Sequence, residues 1–156
     1  MRQRIIILTL FASGMMAFTC VARAGDADDV KAEYLRHIAN VNAGNIDAFI
    51  AQHLPEHTAF GPFGDMLGTW DSPEAEKAGR PDLAKPANPQ VRAHNVEARV
   101  YGNAAVVTAY LRTTVLSADG TARPGVRRVT AVWVKQNGKW LEVHDHMSTL
   151  VTTPPQ

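Results

Sequence analysis

The sequence predicts an α+β domain with its helices in front and a mostly antiparallel sheet behind. Three observations carry this. Apolar residues recur at helical spacing up to Gly44, at Val30, Tyr34, Leu35, Ile38 and Val41. From Val91 the period changes to two and persists to about Leu150. The tight-turn pairs Gly102-Asn103 and Asn137-Gly138 then break the alternating run at hairpin spacing, which makes neighbouring strands antiparallel.

The elements follow in order. Residues 1–24 read as an export signal, with Arg2 and Arg4 ahead of an apolar stretch and Ala22-Arg23-Ala24 supplying a small-x-small cleavage site before Gly25. The competing reading, an uncleaved anchor, requires polar Thr9, Ser13, Thr19 and Cys20 inside the span. Asp26, Asp28 and Asp29 suit the N-terminus of the first helix electrostatically, and Gly44 stops it. Asn45 caps a second short helix from Ile46 to about His53, which Pro55 ends. A short strand over 57–60 precedes a glycine-rich turn, and Asp71-Ser72-Pro73-Glu74 opens a third helix. Pro81, Pro86 and Pro89 mark an irregular crossing. Strands are expected over 91–101, 104–116, 126–136 and 139–150, with a loose tail over 152–156. The domain proper thus spans residues 25–151.

Composition narrows the function. Sixteen basic residues against 15 acidic ones and 7% aromatics give no electrostatic footprint for nucleic acid, and 46% hydrophobic with 20% charged residues argues against disorder. Cleavage after residue 24 removes Arg2, Arg4, Arg23 and the single Cys20, leaving a slightly acidic, cysteine-free domain. An exported domain without disulfides relies on its core, and its expected place is periplasmic or extracellular, with no stable insertion in a membrane.

The last hairpin can be placed in register. With Asn137-Gly138 as a two-residue loop, Trp133 pairs with Glu142, Ala131 with His144 and Val129 with His146 on one face; Val134, Leu141, Val132 and Val143 fall on the other. The strand before it alternates Tyr110 and Arg112 with Val107, Ala109 and Leu111. Each strand therefore has an aliphatic face and a mixed one. An aliphatic face left bare by the helices is expected to seat a second copy, giving a homodimer or larger homo-oligomer.

Thr58-Ala59-Phe60, Val132-Trp133, Gly138-Lys139-Trp140, Val143-His144-Asp145-His146 and Ser148 resemble the SnoaL-like, nuclear-transport-factor-2-like superfamily, whose fold is ketosteroid-isomerase-like or cystatin-like. The resemblance covers about residues 28–150 and is strongest to the association domain of calcium/calmodulin-dependent kinase II. It implies a cone of curved sheet wrapped around the N-terminal helices, open to a pocket. Arg112 matches a pocket arginine of that domain, Ala131 matches a second that is lost here, and His144 and His146 match its histidines. The implied ligand-facing set is Arg112, His144, His146, Trp133, Phe60, Tyr110 and Tyr34, around a small anionic or partly apolar molecule.

Other constellations are weaker. Glu142, His144 and His146 lie at i, i+2 and i+4, but strand residues four apart are separated by about 13 Å, too far for one ion. Further ligands would have to be His53 and His57, turned inward near Pro55. No metal or other cofactor is expected. His144 and Asp145, as strand neighbours, point to opposite faces and form no dyad. Tyr34 as donor with Asp65 as base would suit an isomerase, although a glycine-rich turn is an ordinary place for Asp65. The sequence assigns no catalytic residue. Two readings stand: an exported binding or scaffold domain anchored by Arg112 and His144, and a proton-transfer enzyme (isomerase, cyclase or dehydratase) in the same pocket.

Overall fold

The computed structural model describes residues 24–61, 66–116 and 120–150. Residues 1–23 of the expected export signal, Asp65 and the tail 152–156 lie outside the described residues. The first helix, α1, runs Ala24–Ala43 and ends at Gly44 with φ +69°. A Cβ at Gly44 would stand 2.5 Å from the carbonyl carbon of Lys85. Gly44→Ala should therefore cost at least about 1 to 2 kcal/mol, the penalty of a left-handed conformation for an L-residue. Urea unfolding checks this, and an unchanged midpoint would contradict it.

The second helix, α2, spans Ile46–Ile50, with Asn45 Oδ1 accepting from Ala48 N at 3.2 Å. It ends earlier than expected. The chain then enters strand β1, His53–Phe60, so Pro55 interrupts a strand and not a helix. Glu56 at φ +72° marks the distortion. A short strand β2, Leu67–Thr69, was not legible in the glycine-rich stretch. Helix α3, Pro73–Gly79, has Ser72 as its cap, and a 3-10 turn covers Pro81–Ala84. Four long strands complete the chain: β3 (Arg92–Tyr101), β4 (Ala104–Leu116), β5 (Ala122–Gln136) and β6 (Lys139–Thr149).

The six strands form one unclosed, curved sheet in the order β2-β1-β6-β5-β4-β3, antiparallel except for β1 with β6. Its concave face wraps α1. Val30, Tyr34 and Ile38 from the helix pack with Val107, Ala109, Leu111, Val129, Ala131 and Trp133 from the sheet. Asn42 fastens the helix end to the sheet, donating to Val91 O at 2.9 Å and accepting from Val91 N at 2.7 Å. Lys135 Nζ holds the other end through Asp26, at 2.6 Å.

Two expectations about the faces are overturned. The aliphatic side of β4 is buried under α1, leaving no bare surface there, because Val107 lies opposite Ala131 and so shares the concave side. Arg112 and Tyr110 consequently point outward and are exposed. The β5–β6 register also shifts. The expected pairing holds from the turn to Trp133 with Glu142, but Val132 then lies opposite His144 and Ala131 opposite Asp145. Val143 is the extra residue of a bulge, and one extra residue exchanges the faces of all that follows it. Asp145 turns inward; His144 and His146 turn outward.

Candidate functional site

The concave face carries more ionisable side chains than a core needs. His53 and His57 come from β1, Glu76 from α3, His37 from α1, and Glu142 and Asp145 from β6; all six are buried. Between His53 and Thr58, β1 gains residues relative to β6, and this irregularity turns both histidines toward the helix. Gln52 sets the start of the irregular segment: its carbonyl accepts from Glu142 N at 2.8 Å, and its amide donates to Glu33 O at 3.0 Å.

The two β1 imidazoles stack with centroids 4.0 Å apart. Trp70 stacks on the far side of His57, and the Arg80 guanidinium sits 4.2 Å from the Trp70 ring centre. Gly68 and Gly79 leave the room that the indole occupies, since a Cβ at either would come within 3.0 Å of it. Glu76 gathers three nitrogen-bearing side chains, with His53 Nδ1 at 2.9 Å, His57 Nδ1 at 3.4 Å and Arg80 Nε at 3.4 Å. The other nitrogen of His57 faces Asp145 at 3.4 Å and Glu142 at 3.9 Å. His37 Nε2 is 3.6 Å from Glu142.

These neighbours set the protonation states. Burial opposes a charged His57, but the Asp145, Glu142 and Glu76 carboxylates outweigh it and raise the imidazole to about 10. Burial and the charge of Asp145 raise Glu142 to about 7. Burial would raise Glu76, yet His53, His57 and Arg80 bring it down to about 2. His37 is lowered well below the ordinary imidazole by burial and by His53, His57 and Arg80. Burial, then Glu142 and Asp145, raise Tyr34, which stays a hydroxyl donor.

A cavity of about 130 Å³ opens beside this cluster, between α1 and the sheet, and is lined in part by Tyr34, His37, Arg80, Arg127, Glu142 and Asp145. Tyr34 Oη, His37 Nδ1 and Asp145 Oδ2 have no hydrogen-bond partner among the described residues. A groove of about 450 Å³ lies on the other side of His53, His57 and Glu76, against Trp70 and Ser72. The site can thus accept a small molecule, exchange protons with it, and offer nitrogen and oxygen ligands to a cation.

Of the ligand-facing set expected from sequence, the structure brings only Tyr34 and Trp133 to this side. Trp133 is fully buried with its ring edge toward His37. Arg112, Tyr110, His144, His146 and Phe60 collect on the outer face or its edge, where Phe60 packs against both histidines and Thr58 Oγ1 hydrogen-bonds His144 Nδ1 at 2.8 Å. The inward strand arginine is Arg127, which donates to Thr114 O at 3.0 Å. Sequence reasoning named His53 and His57 around Pro55 but missed His37, whose one signal was a polar residue within the apolar stripe of α1. Glu76 and Asp145 carried no comparable signal.

The fold is that of known structures. The CaMKII hub of S. rosetta is 24% identical with a TM-score of 0.64, over 83% of this chain and all of that one. A Caulobacter vibrioides protein with a cystatin-like fold is 18% identical with a TM-score of 0.65, over 80% and 89%. A Streptomyces avermitilis protein, provisionally described as a dehydratase of the NTF2-like family, is 14% identical with a TM-score of 0.66, over 81% and 97%. No curated protein matches the chain. Residues 28–152 match the family described as the SnoaL-like domain, and the chain belongs to that family.

Proposed function

We propose that this SnoaL-like domain binds a small enolisable carbonyl compound in the cavity under α1 and moves a proton on it. The carrying observation is that Tyr34 and His37, one helical turn apart, both line the cavity, and that Tyr34 Oη and His37 Nδ1 are buried with no partner among the described residues. Buried polar atoms are rarely left unpaired, and where they converge on a cavity they mark the place of a ligand. His37 takes the proton next to the carbonyl, Tyr34 donates a hydrogen bond to the oxygen as it gains negative charge, and His37 returns the proton at a second carbon. Arg127 and Arg80 favour a substrate bearing an anionic group.

Turnover across a panel of enolisable ketones and lactones tests this. Tyr34→Phe should lower kcat about 10²-fold, as loss of one oxyanion donor does, and His37→Gln by about 10² to 10⁴. Rates equal to wild type in both variants would remove the catalytic reading and leave the binding reading, which the likeness to a kinase hub favours.

We infer further that the domain is exported and works as a homo-oligomer. The apolar N-terminal stretch with its Ala22-Arg23-Ala24 site supports export. The outer sheet face, with exposed Tyr101 and Tyr110, supports a second copy as partner. N-terminal sequencing and native mass spectrometry test the two.

A further inference from the structure

We propose that His57, Glu142 and Asp145 bind a divalent first-row transition-metal ion through His57 Nε2 and one oxygen of each carboxylate. The three ligand atoms lie within 4.8 Å of one another, and all three residues are buried. The spacing is informative. His57 Nε2 stands 3.4 Å from Asp145 Oδ1 and 3.9 Å from Glu142 Oε1, at or beyond the long limit for a hydrogen bond. Two donors each about 2.0 to 2.2 Å from one ion are separated by about 3 to 4 Å, so these distances fit a shared cation better than direct contact.

The orphaned atoms point the same way. His57 Nε2, Glu142 Oε2 and Asp145 Oδ2 have no hydrogen-bond partner among the described residues. Two carboxylates buried at this density are costly unless a cation neutralises them; without metal the protonated His57 supplies one positive charge, and a divalent ion that displaces its Nε2 proton supplies two while also binding the imidazole.

The surroundings are those of a supported ligand set. Glu76 stands 3.4 Å from His57 Nδ1, too long for a settled hydrogen bond but near enough for its carboxylate to accept from Nδ1–H once a metal takes Nε2. His53 in turn holds Glu76 at 2.9 Å. One imidazole with two carboxylates suits Mn²⁺, Fe²⁺, Co²⁺ or Zn²⁺; Ca²⁺ favours oxygen alone and Cu⁺ favours sulfur. Three protein ligands leave coordination positions open, and the cavity beside Glu142 and Asp145 supplies the space. This inference stands apart from the proton-transfer reading, because metal content reports on one and turnover on the other.

The test uses protein stripped with a chelator, incubated with Zn²⁺ or Mn²⁺, desalted and assayed by mass spectrometry for metal per chain. The expected result is one ion per chain, with a higher melting temperature than the stripped protein. Glu142→Gln and Asp145→Asn, each close to isosteric, should weaken binding by about 10-fold or more, whereas His144→Ala and His146→Ala should leave it unchanged. Stoichiometry near zero, binding that survives both carboxylate variants, or binding lost with the outer histidines would overturn the proposal. X-ray absorption on the zinc-loaded wild type gives a readout independent of whether the variants fold. One imidazole with oxygen ligands at about 2.0 to 2.2 Å supports the site, and a shell with no imidazole or with several overturns it.

Discussion

Trp133→Ala is expected to lower the unfolding free energy by about 3 to 5 kcal/mol, the usual range for truncating a buried tryptophan. The indole is 0% exposed and sits where α1 crosses the sheet, opposite Ala105 on β4 and edge-on to His37 at 5.9 Å between ring centres. Its neighbours are largely fixed by long strand pairings, so the space left behind collapses only in part, and the cavity adds to the lost burial. Its Nε1 has no hydrogen-bond partner among the described residues, so the loss is one of packing alone. Urea unfolding followed by far-ultraviolet dichroism measures it. A change below about 1 kcal/mol would mean that the concave core is not packed as described.

Glu76→Ala should be of similar size, about 3 kcal/mol or more, for an electrostatic reason. Glu76 is 3% exposed and has His53, His57 and Arg80 around it. Removing one partner of a buried ionic cluster leaves the others desolvated and uncompensated, and that penalty exceeds the net worth of the cluster. Glu76→Gln should cost less, because its amide oxygen still accepts from His53 Nδ1. Chemical denaturation at neutral pH separates the two. Equal midpoints for the two variants would show that the lost charge alone sets the cost, and a Glu76→Gln midpoint equal to wild type would show that shape, and not charge, holds this corner together.

The order of elements was largely legible because each rests on local chemistry. Gly44 has the positive φ that a helix stop favours, Asn45 and Ser72 are real caps, and Asn137-Gly138 takes positive φ at both turn positions. The misplaced boundary at β1 has a local cause too: Pro55 was read as a helix stop, but a distorted strand tolerates it as well. Family membership was also visible, since the strand-ending motif and its resemblance covered nearly the whole domain.

The site was less legible. Alternation by two states which side chains share a face of a strand, but it does not say which face is inward when both are mixed. Here β4 buries its aliphatic face and β5 the face carrying Ala131 and Trp133, so Arg112 is outside although the resemblance placed it within. The bulge at Val143 decides the rest. Without it His144 would face the helix; with it Asp145 does, beside Glu142 and His57.

By itself the sequence determined the α+β class, the helix caps and the Gly44 stop, the hairpin turn and the family, because caps, turns and periodicity act over a few neighbouring residues. Only the tertiary structure decided which ionisable groups meet. His37, His53, His57, Glu76, Glu142 and Asp145 come from four separate elements. Their meeting depends on two strand irregularities whose cost is offset by packing across the whole sheet, and no local pattern records that.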